Sequence, residues 1–527
     1  PLPLPTLRMA AGDLPLADRT PVPRVSKFRF ASASSTNEVF GDALKEALRA
    51  AQDALPGDAR PTFMTVLMAS AYCHAPVLDQ VEGVPESMVD SRGQEVRAGG
   101  VAESIDIIAR LFAQRGWTDV PVVGSTVGGY LTEGGEEEGA RGLTVTLGYV
   151  PGVKVVPFKV PEDVSDSWSQ KDWASKASLG DFGSDPHVPG KKESAILLFA
   201  DPTDPLRTKT VLSGLSFAYP DAKIVGGVAG AVSADHEANV FMFPSLEKAK
   251  DKASCLSSSV VGLSLEGDIA VDAVVAQGAR PIGPRFQVTQ VAGDGREIVK
   301  MKELASGADS EGAPMMLFDM CGFMGLIDTA DVQEALGFVA MGVSLNPLEE
   351  EDCDMEYIVR PISDLEKDGP VLLAEPVRQG QIVRFHVRDG GNATKELESL
   401  YLRWQLERST KGFEGMVPAG AMMFADEYRG KRLFGEEEKE VTMFKKAFPG
   451  VSLGGGYFTG AIGELPNFRD RNKKPADPKG AKAGNMTLPG IKLDTFDRHI
   501  DKHSVATAYC VVYGPEEDTE QDGEIPV

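Results

Sequence analysis

The run Phe63-Met-Thr-Val-Leu-Met-Ala69 first indicates the fold class of this chain, because it predicts a buried strand. Apolar residues then recur at helical spacing through Ile105, Ile108 and Phe112. A second apolar run, Val120–Val123, predicts a strand that ends at a turn of small residues. Strand, helix and strand in this order are typical of an α/β protein.

An amphipathic helix is predicted before this unit, over residues 35–55. Ser35 and Glu38 have the spacing of a capping box, and Pro56-Gly57 ends the apolar periodicity. We therefore expect the helix to begin at Ser35 and to carry one apolar face.

The same alternation of strands and helices is predicted further along the chain. Residues 161–192 are rich in Asp, Ser, Lys, Gly and Pro and predict a surface excursion. Ala195–Ala200 is predicted as a strand and residues 206–218 as a helix, and the next strand leads into Gly226.

Residues 260–314 are predicted to end the first half of the fold. Val260–Leu265 and Ile269–Val275 flank a Glu-Gly-Asp turn and predict a β-hairpin. The polar, Gly-rich residues 292–314 predict a seam between two domains. We expect an α/β fold of two domains, with central mixed β-sheets flanked by helices.

The second half repeats this pattern. Lys395–Glu407 predicts a helix that buries Leu397, Leu400, Tyr401 and Trp404. Strands are predicted at Phe338–Leu345, Gln381–Val387, Ala419–Phe424, Val451–Phe458 and Ser504–Val512. The expected divisions are a Pro-rich extension (1–30), an N-terminal domain (31–291), a C-terminal domain (292–513) with a basic insertion (467–484), and an acidic tail (514–527).

Composition excludes several classes of partner. The 527 residues include 54 Lys and Arg against 78 Asp and Glu, a net charge of −24 that repels nucleic acids and anionic lipid. No run is long and apolar enough for a transmembrane segment. Five scattered cysteines and six histidines favour neither a disulfide framework nor a zinc site, so we expect no metal and no cofactor.

The N-terminal sequence leaves two locations open. The chain starts at Pro1, and residues 1–30 carry six prolines and more basic than acidic residues. This segment is either the mature end left after removal of an organelle-targeting peptide or a simple boundary. We expect an intracellular, cytoplasmic protein, with the interior of a plastid or mitochondrion as the alternative.

Two Gly-rich segments could approach a phosphate. Gly226, Gly227 and Gly230 follow an apolar strand, but no Lys-Ser/Thr completes a Walker loop, and the GxGxxG spacing is absent. Close backbone packing is the favoured interpretation for this segment, and also for residues 124–129.

Other reactive or charged groups have ordinary explanations. Cys73 and His74 are adjacent, so on an extended strand they would point to opposite faces and could not form a catalytic dyad. The acidic residues between Glu349 and Glu356 lack EF-hand spacing, and they and Glu136–Glu138 are interpreted as solvated charge runs.

Arginines supply the strongest candidates for ligand contacts. Arg280 lies in Gln277-Gly-Ala-Arg-Pro-Ile-Gly-Pro284, where prolines and glycines fix the backbone, so the segment is either an anion contact or a structural turn. Arg384, His386 and Arg388 alternate with apolar residues along one strand. Their face is either part of a pocket wall or a solvated surface of the sheet.

Several of these motifs, in order, resemble the FIST domain family. The first half resembles the N-terminal FIST domain at Asp201-Pro202, Ile224–Gly230, Val261–Asp272 and Ala276–Pro284. The second half resembles the C-terminal FIST domain at Gly380–Asp389, Arg429-Gly430, Leu433–Gly435 and Gly460–Gly463. The resemblance covers about residues 31–513.

The resemblance implies an intracellular sensory module that binds small ligands such as amino acids. Because the resemblance covers nearly the whole chain, we expect no F-box, kinase, cyclase or methyl-accepting domain in it. Where the family motifs resemble Cys-Asn-Gly-Arg-Gly and Gly-Glu-Ile-Gly-Pro, this chain carries Asp426, Glu427 and Ala461 at altered positions. If these positions line the pocket, its charge pattern has changed.

We therefore expect a non-enzymatic, sensor-like protein that binds a small anionic or zwitterionic metabolite and acts through a separate protein partner. The basic insertion 467–484 would be a docking element for an acidic partner. The alternative is a scaffold subunit that kept the fold and lost sensing. Expected ligand contacts are Asp201, Gly226, Gly227, Arg280, Gly283, Arg388 and Arg429, with Asp201 and Arg429 near the rim.

Overall fold

The computed structural model describes residues 25–57, 59–73, 87–89, 95–97, 101–139, 141–177, 179, 193–230, 238–250, 256–257, 259–311, 338–344, 357–365, 370–408, 415–465, 500–503 and 506–517. It confirms an α/β fold with mixed sheets flanked by helices. The Cys73-His74 pair is described only as far as Cys73. The basic insertion 467–484 and the acidic residues 349–356 lie outside the described residues.

The strands are, in chain order, β1 (Arg29–Ser35), β2 (Phe63–Ala69), β3 (Ser87–Val89), β4 (Glu95–Arg97), β5 (Val122–Val127), β6 (Gly129–Thr132), β7 (Gly135–Glu138), β8 (Leu143–Tyr149), β9 (Lys154–Lys159), β10 (Glu193–Ala200), β11 (Lys223–Val228), β12 (Val240–Phe243), β13 (Leu256–Ser257), β14 (Val260–Gly267), β15 (Ala270–Ala276), β16 (Ala279–Ala292), β17 (Glu297–Glu303), β18 (Asp309–Glu311), β19 (Val339–Ser344), β20 (Tyr357–Leu365), β21 (Val371–Leu373), β22 (Ile382–Arg388), β23 (Met416–Asp426), β24 (Ser452–Phe458), β25 (Gly460–Glu464), β26 (Ile500–His503) and β27 (Thr507–Pro515). The described helices are α1 (Phe40–Ala54), α2 (Val101–Arg115), α3 (Gln170–Lys176), α4 (Pro205–Ala218), α5 (Leu246–Ala249), α6 (Gly390–Arg408), α7 (Lys431–Phe434) and α8 (Lys439–Ala447).

Three six-stranded sheets share one topology. Their strand orders are β1-β8-β2-β5-β12-β13, β9-β14-β10-β11-β25-β26 and β15-β27-β23-β24-β6-β7. Each contains one parallel pair, β2 with β5, β10 with β11, and β23 with β24. Helical segments connect the two strands of each pair, as parallel strands require. The described part of the chain therefore contains one unit three times, although the sequence shows no short-period repeat.

The three units exchange hairpins in a ring. The hairpin β6–β7 of the first unit pairs with β24 of the third, the third unit's β25–β26 pairs with β11 of the second, and the second unit's β12–β13 pairs with β5 of the first. Strand pairing therefore crosses the expected boundary at residues 291 and 292. That boundary stays a prediction.

Three backbone hydrogen bonds close this ring at the centre of the fold. Gly128 donates to the carbonyl of Tyr457 at 2.7 Å, Gly230 to that of Thr126 at 3.0 Å, and Thr459 to that of Val228 at 3.0 Å. Equivalent residues make each bond, which supports the threefold relation. The apolar core around the ring includes the mutually packed rings of Phe199, Phe424 and Phe458.

A fourth sheet is antiparallel and closes on itself. Its order is β16-β22-β19-β20-β21-β17-β18, and β16 also pairs with β17. Phe286, Met301, Met341 and Phe385 fill the interior of this barrel. In the chain it lies between β15 and α6, so it is inserted into the third unit.

The strand and helix predictions are confirmed in most places, with five corrections. Helix α1 begins after Val39, which makes no side-chain cap, and Ser35 instead ends β1 and donates to Glu46. The predicted turn after Val123 is part of β5. Within the predicted surface excursion, helix α3 buries Trp173 completely.

The predicted hairpin of residues 260–275 is wrong. Strand β14 pairs with β10 and β9, whereas β15 pairs with β27 in another sheet. The chain therefore crosses between two sheets at the Glu266-Gly-Asp268 turn. Residues 292–314 likewise include the paired strands β17 and β18.

Candidate functional site

Arg388 lies at the end of β22, on the outer face of the barrel, and only 4% of it is exposed. Its Nη2 donates to the carbonyl of Tyr428 at 3.0 Å. Burial, and then the neighbouring charge of Arg429, lower the pKa of Arg388 to about 10, although Asp426 opposes this. Burial and Arg429 therefore destabilise the charged form of Arg388, and Asp426 stabilises it.

Arg429 is fully buried and bound at both ends of its guanidinium. It donates to Glu440 through Nε at 3.2 Å and Nη2 at 2.6 Å, and through Nη1 to the carbonyl of Ala276 at 3.3 Å. Burial alone would lower the pKa of Arg429, but the Glu440 carboxylate outweighs it and raises the pKa. Arg429 therefore ties the 426–430 turn to α8 and β15.

Glu396 of α6 contacts the two residues that follow β15. Its carboxylate accepts the backbone N–H groups of Gln277, at 3.1 Å, and of Gly278. Burial raises the pKa of Glu396, and Arg429 and the two N–H groups oppose the shift. We call Arg388, Arg429, Glu396, Glu440 and Asp426 the Arg388 cluster.

Arg280 does not join this cluster. It pairs with Val387, whereas Arg388 pairs with Ala279 on the neighbouring strand, so the two arginines point to opposite faces of the sheet. About half of the Arg280 side chain is exposed, and its Nε lies 3.8 Å from Asp389 at the end of the barrel. Arg280 and Arg388 were expected to line one pocket, but they lie at two separate places in the structure.

Two family models match the chain, a FIST N domain over residues 101–302 and a FIST C domain over residues 324–464, together more than half of its length. The chain belongs to the FIST family. FIST domains are associated with sensory and ligand-binding roles in signalling.

The curated relatives of this FIST protein are uncharacterized. The protein Rv0628c of Mycobacterium tuberculosis (strain ATCC 25618 / H37Rv) is 26% identical over 274 residues, which are 51% of this chain and 63% of the relative. The protein Mb0898c of Mycobacterium bovis (strain ATCC BAA-935 / AF2122/97) is 27% identical over 218 residues, which are 40% of this chain and 50% of the relative. The matched segments thus span less than two thirds of these relatives.

The remaining residues expected to bind ligand lie elsewhere in the FIST fold. Gly226 and Gly227 are inside β11, where a Cβ would collide with the Leu198 carbonyl and the Phe458 ring. Asp201 follows β10 and accepts the backbone N–H of Thr203 at 2.8 Å. These placements favour packing roles for the glycines and a turn-forming role for Asp201.

Two expectations about exposure are corrected. Arg429 is not at a rim, because none of its surface is exposed, and Asp201 is 2% exposed. The face of Arg384, His386 and Arg388 is not solvated, since His386 and Arg388 are buried. Gly283, with φ of +64°, lies in an irregular part of β16, and its carbonyl accepts Nε of Arg384 at 2.9 Å.

The altered FIST motifs have structural partners. Asp426 is 1% exposed and accepts the backbone N–H of Tyr428 at 2.9 Å, as Asp201 does in the equivalent turn of the second unit. Ala461 is fully buried in β25 and pairs with Gly227. Ala461 therefore contributes an apolar side chain to the core.

Sequence reasoning missed Glu396 and Glu440. In the sequence both resemble ordinary charges on amphipathic helices. Glu396 precedes the buried Leu397 and Glu440 precedes the buried Val441, so each borders an apolar stripe. A glutamate at the border of an apolar stripe is the sequence signal from which their burial could have been predicted. Among the described residues, no three His, Cys, Asp or Glu side chains are arranged to hold a metal, and no helix could span a membrane.

Proposed function

We propose that this FIST protein is a non-enzymatic, sensor-like protein that binds a small anionic or zwitterionic metabolite, such as an amino acid. Its output is a change in association with a separate protein. The observation that carries the proposal is the Arg388 guanidinium, which is buried beside a second guanidinium at the junction of the barrel and the third unit.

The chemistry of the Arg388 cluster fits such a ligand. A carboxylate beside Arg388 would offset the repulsion between Arg388 and Arg429 and would gain a charge-assisted hydrogen bond. Glu396 lies near Arg429 and gives the cluster an acidic group that suits a ligand ammonium. Arg429 holds the turn in place through Glu440 rather than contacting ligand.

A thermal-shift screen of amino acids, organic acids and nucleotides tests the proposal. A ligand at a hundredfold excess over its Kd stabilises the fold by about 2.7 kcal/mol, so at least one compound should shift the midpoint clearly. Arg388→Gln should remove that shift. Arg360→Gln is the control, because Arg360 lies on β20 of the same barrel, is likewise buried, and pairs with Glu375 at 3.0 Å.

Arg280→Ala tests whether the ligand binds at the Arg388 cluster or beside Arg280 at the end of the barrel. We expect it to weaken binding less than Arg388→Gln, and Arg296→Ala, equally exposed and paired with Asp294 at 3.1 Å, serves as its control. If Arg280→Ala abolishes the shift and Arg388→Gln keeps it, the ligand binds at the end of the barrel. A screen without any shift contradicts the sensor function.

The second candidate is a scaffold subunit. It is favoured by Leu402 and Leu406, which lie one turn apart on α6 and are 58% and 61% exposed. Copurification of one stoichiometric partner, lost in Leu402→Glu or after deletion of residues 467–484, together with a silent ligand screen, would support this candidate instead.

A further inference from the structure

Two acidic segments pack on each other where the first unit meets the third. The hairpin β6–β7 carries Glu136–Glu138, and residues 436–440 at the start of α8 carry four glutamates. The Glu138 carboxylate accepts the backbone N–H of Lys431, and a Cβ on Gly135 would lie 2.8 Å from Oε1 of Glu438. Like charges therefore face each other across this contact.

Among the three glutamates of the hairpin, Glu136 is the one whose carboxylate is enclosed. Both its carboxylate oxygens are inaccessible to solvent and accept no hydrogen bond of normal geometry from the described residues, whereas Glu137 is exposed. Burial, and then the Glu440 charge, raise the pKa of Glu136 to about 8. The backbone N–H of Val441 lowers it in part. The interpretation of Glu136 as a solvated charge is therefore wrong.

The groups around Glu136 do not neutralise it. Glu440 and Glu438 face it from the α8 segment, Glu138 from its own strand, Tyr457 from β24 and Tyr401 from α6. The guanidinium of Arg429 is already bound, to Glu440 through Nε and Nη2 and to the Ala276 carbonyl through Nη1. Lys431 and Lys439 pair with the exposed Glu437 and Glu436.

Tyr457 of β24 is a second buried polar group beside these glutamates. It is 1% exposed, its hydroxyl has no hydrogen-bond partner among the described residues, and the position of a Cβ on Gly430 is 2.6 Å from that hydroxyl. A carboxyl proton on Glu136 removes one negative charge from this buried contact.

We propose that the β6–β7 hairpin is a proton-controlled latch, held on the α7–α8 segment while Glu136 carries a proton and released when Glu136 ionises. The docked state binds a proton that the released state loses, so docking weakens as pH rises. Its equilibrium constant should fall about tenfold per pH unit between about pH 5 and about pH 8. Release would loosen the contact of Glu138 with Lys431, next to the 426–430 turn.

Hydrogen exchange of the full chain tests the latch. Protection factors of β6 and β7 amides, corrected for the intrinsic pH dependence of exchange, should fall by about tenfold per pH unit in this window, while amides of β17 serve as an internal reference. Glu136→Gln should keep the hairpin protected and remove the slope. Glu137→Gln makes the same charge change at an exposed position and should keep the slope.

A wild-type protection factor that does not change with pH overturns the proposal, whether or not Glu136→Gln folds. An equal loss of the slope in Glu137→Gln also overturns it, because net charge would then be responsible. If magnesium or spermidine removes the slope in the wild type, a cation rather than a proton neutralises the contact, and the latch as proposed is wrong.

Discussion

Replacing Glu440 by Gln should be among the most destabilising single changes in this protein. The Glu440 carboxylate accepts Nε and Nη2 of Arg429, the hydroxyl of Tyr509 at 2.7 Å and that of Thr507 at 3.2 Å, and the exposed side-chain fractions of Arg429 and Glu440 are 0% and 1%. Glu440→Gln leaves the Arg429 charge buried without its counter-charge. Breaking such a pair costs about 3–5 kcal/mol.

Urea unfolding of the wild type and of Glu440→Gln measures this cost. Glu437→Gln is the control in the same segment, because Glu437 pairs with Lys431 at 2.7 Å while 70% of its side chain is exposed. An exposed pair contributes about 0–1 kcal/mol, so the control should unfold almost as the wild type does. If the two variants differ by less than about 1 kcal/mol, Arg429 does not depend on Glu440 for its charge, and the structural role given to the pair is wrong.

Three further outcomes follow from the fold. When the two halves of the chain, 1–291 and 292–527, are expressed separately, each should show poor amide dispersion by NMR, because strands pair across this boundary. Co-expression should restore the dispersion. Two halves that fold independently would contradict this. Gly226→Ala should cost about 1–3 kcal/mol in urea unfolding, since its Cβ would collide with backbone, whereas Gly134→Ala should cost little, and equal costs would refute the packing argument. Burial lowers the pKa of His386 to about 4, so the stability that this residue contributes is lost as pH falls from about 6.5 to about 4. In the folded protein its imidazole stays neutral over most of this range, so its NMR signals should not titrate above about pH 5, and a midpoint near 6.5 would contradict its burial.

Local patterns predicted the strands and helices well, because each apolar run is long enough to specify one element. Phe63–Ala69 is buried throughout, as expected, and α6 buries the four side chains expected of it. The failures lie where tertiary contacts decide. The turn after Leu265 favours a hairpin locally, but β15 is completed by β27, more than two hundred residues away.

The candidate site was predictable only in part. Arg388 and Arg429 could be singled out from their motifs, but sequence could not show that Arg280 faces away from Arg388, because the register of β16 with β22 decides this. Glu440 and Glu136 look like surface charges in sequence. The burial of Glu136 depends on the exchange of hairpins between units, and that of Glu440 on its contacts with Arg429 and Tyr509, and local patterning encodes neither.

The crystal structure of the full chain with the compound that stabilises it most strongly tests the central claim directly. We predict that a carboxylate of the ligand lies about 3 Å from the Arg388 guanidinium, the distance of a charge-assisted hydrogen bond, with Arg429 still bound to Glu440. A ligand bound away from Arg388, or one that displaces Glu440 from Arg429, would contradict the account.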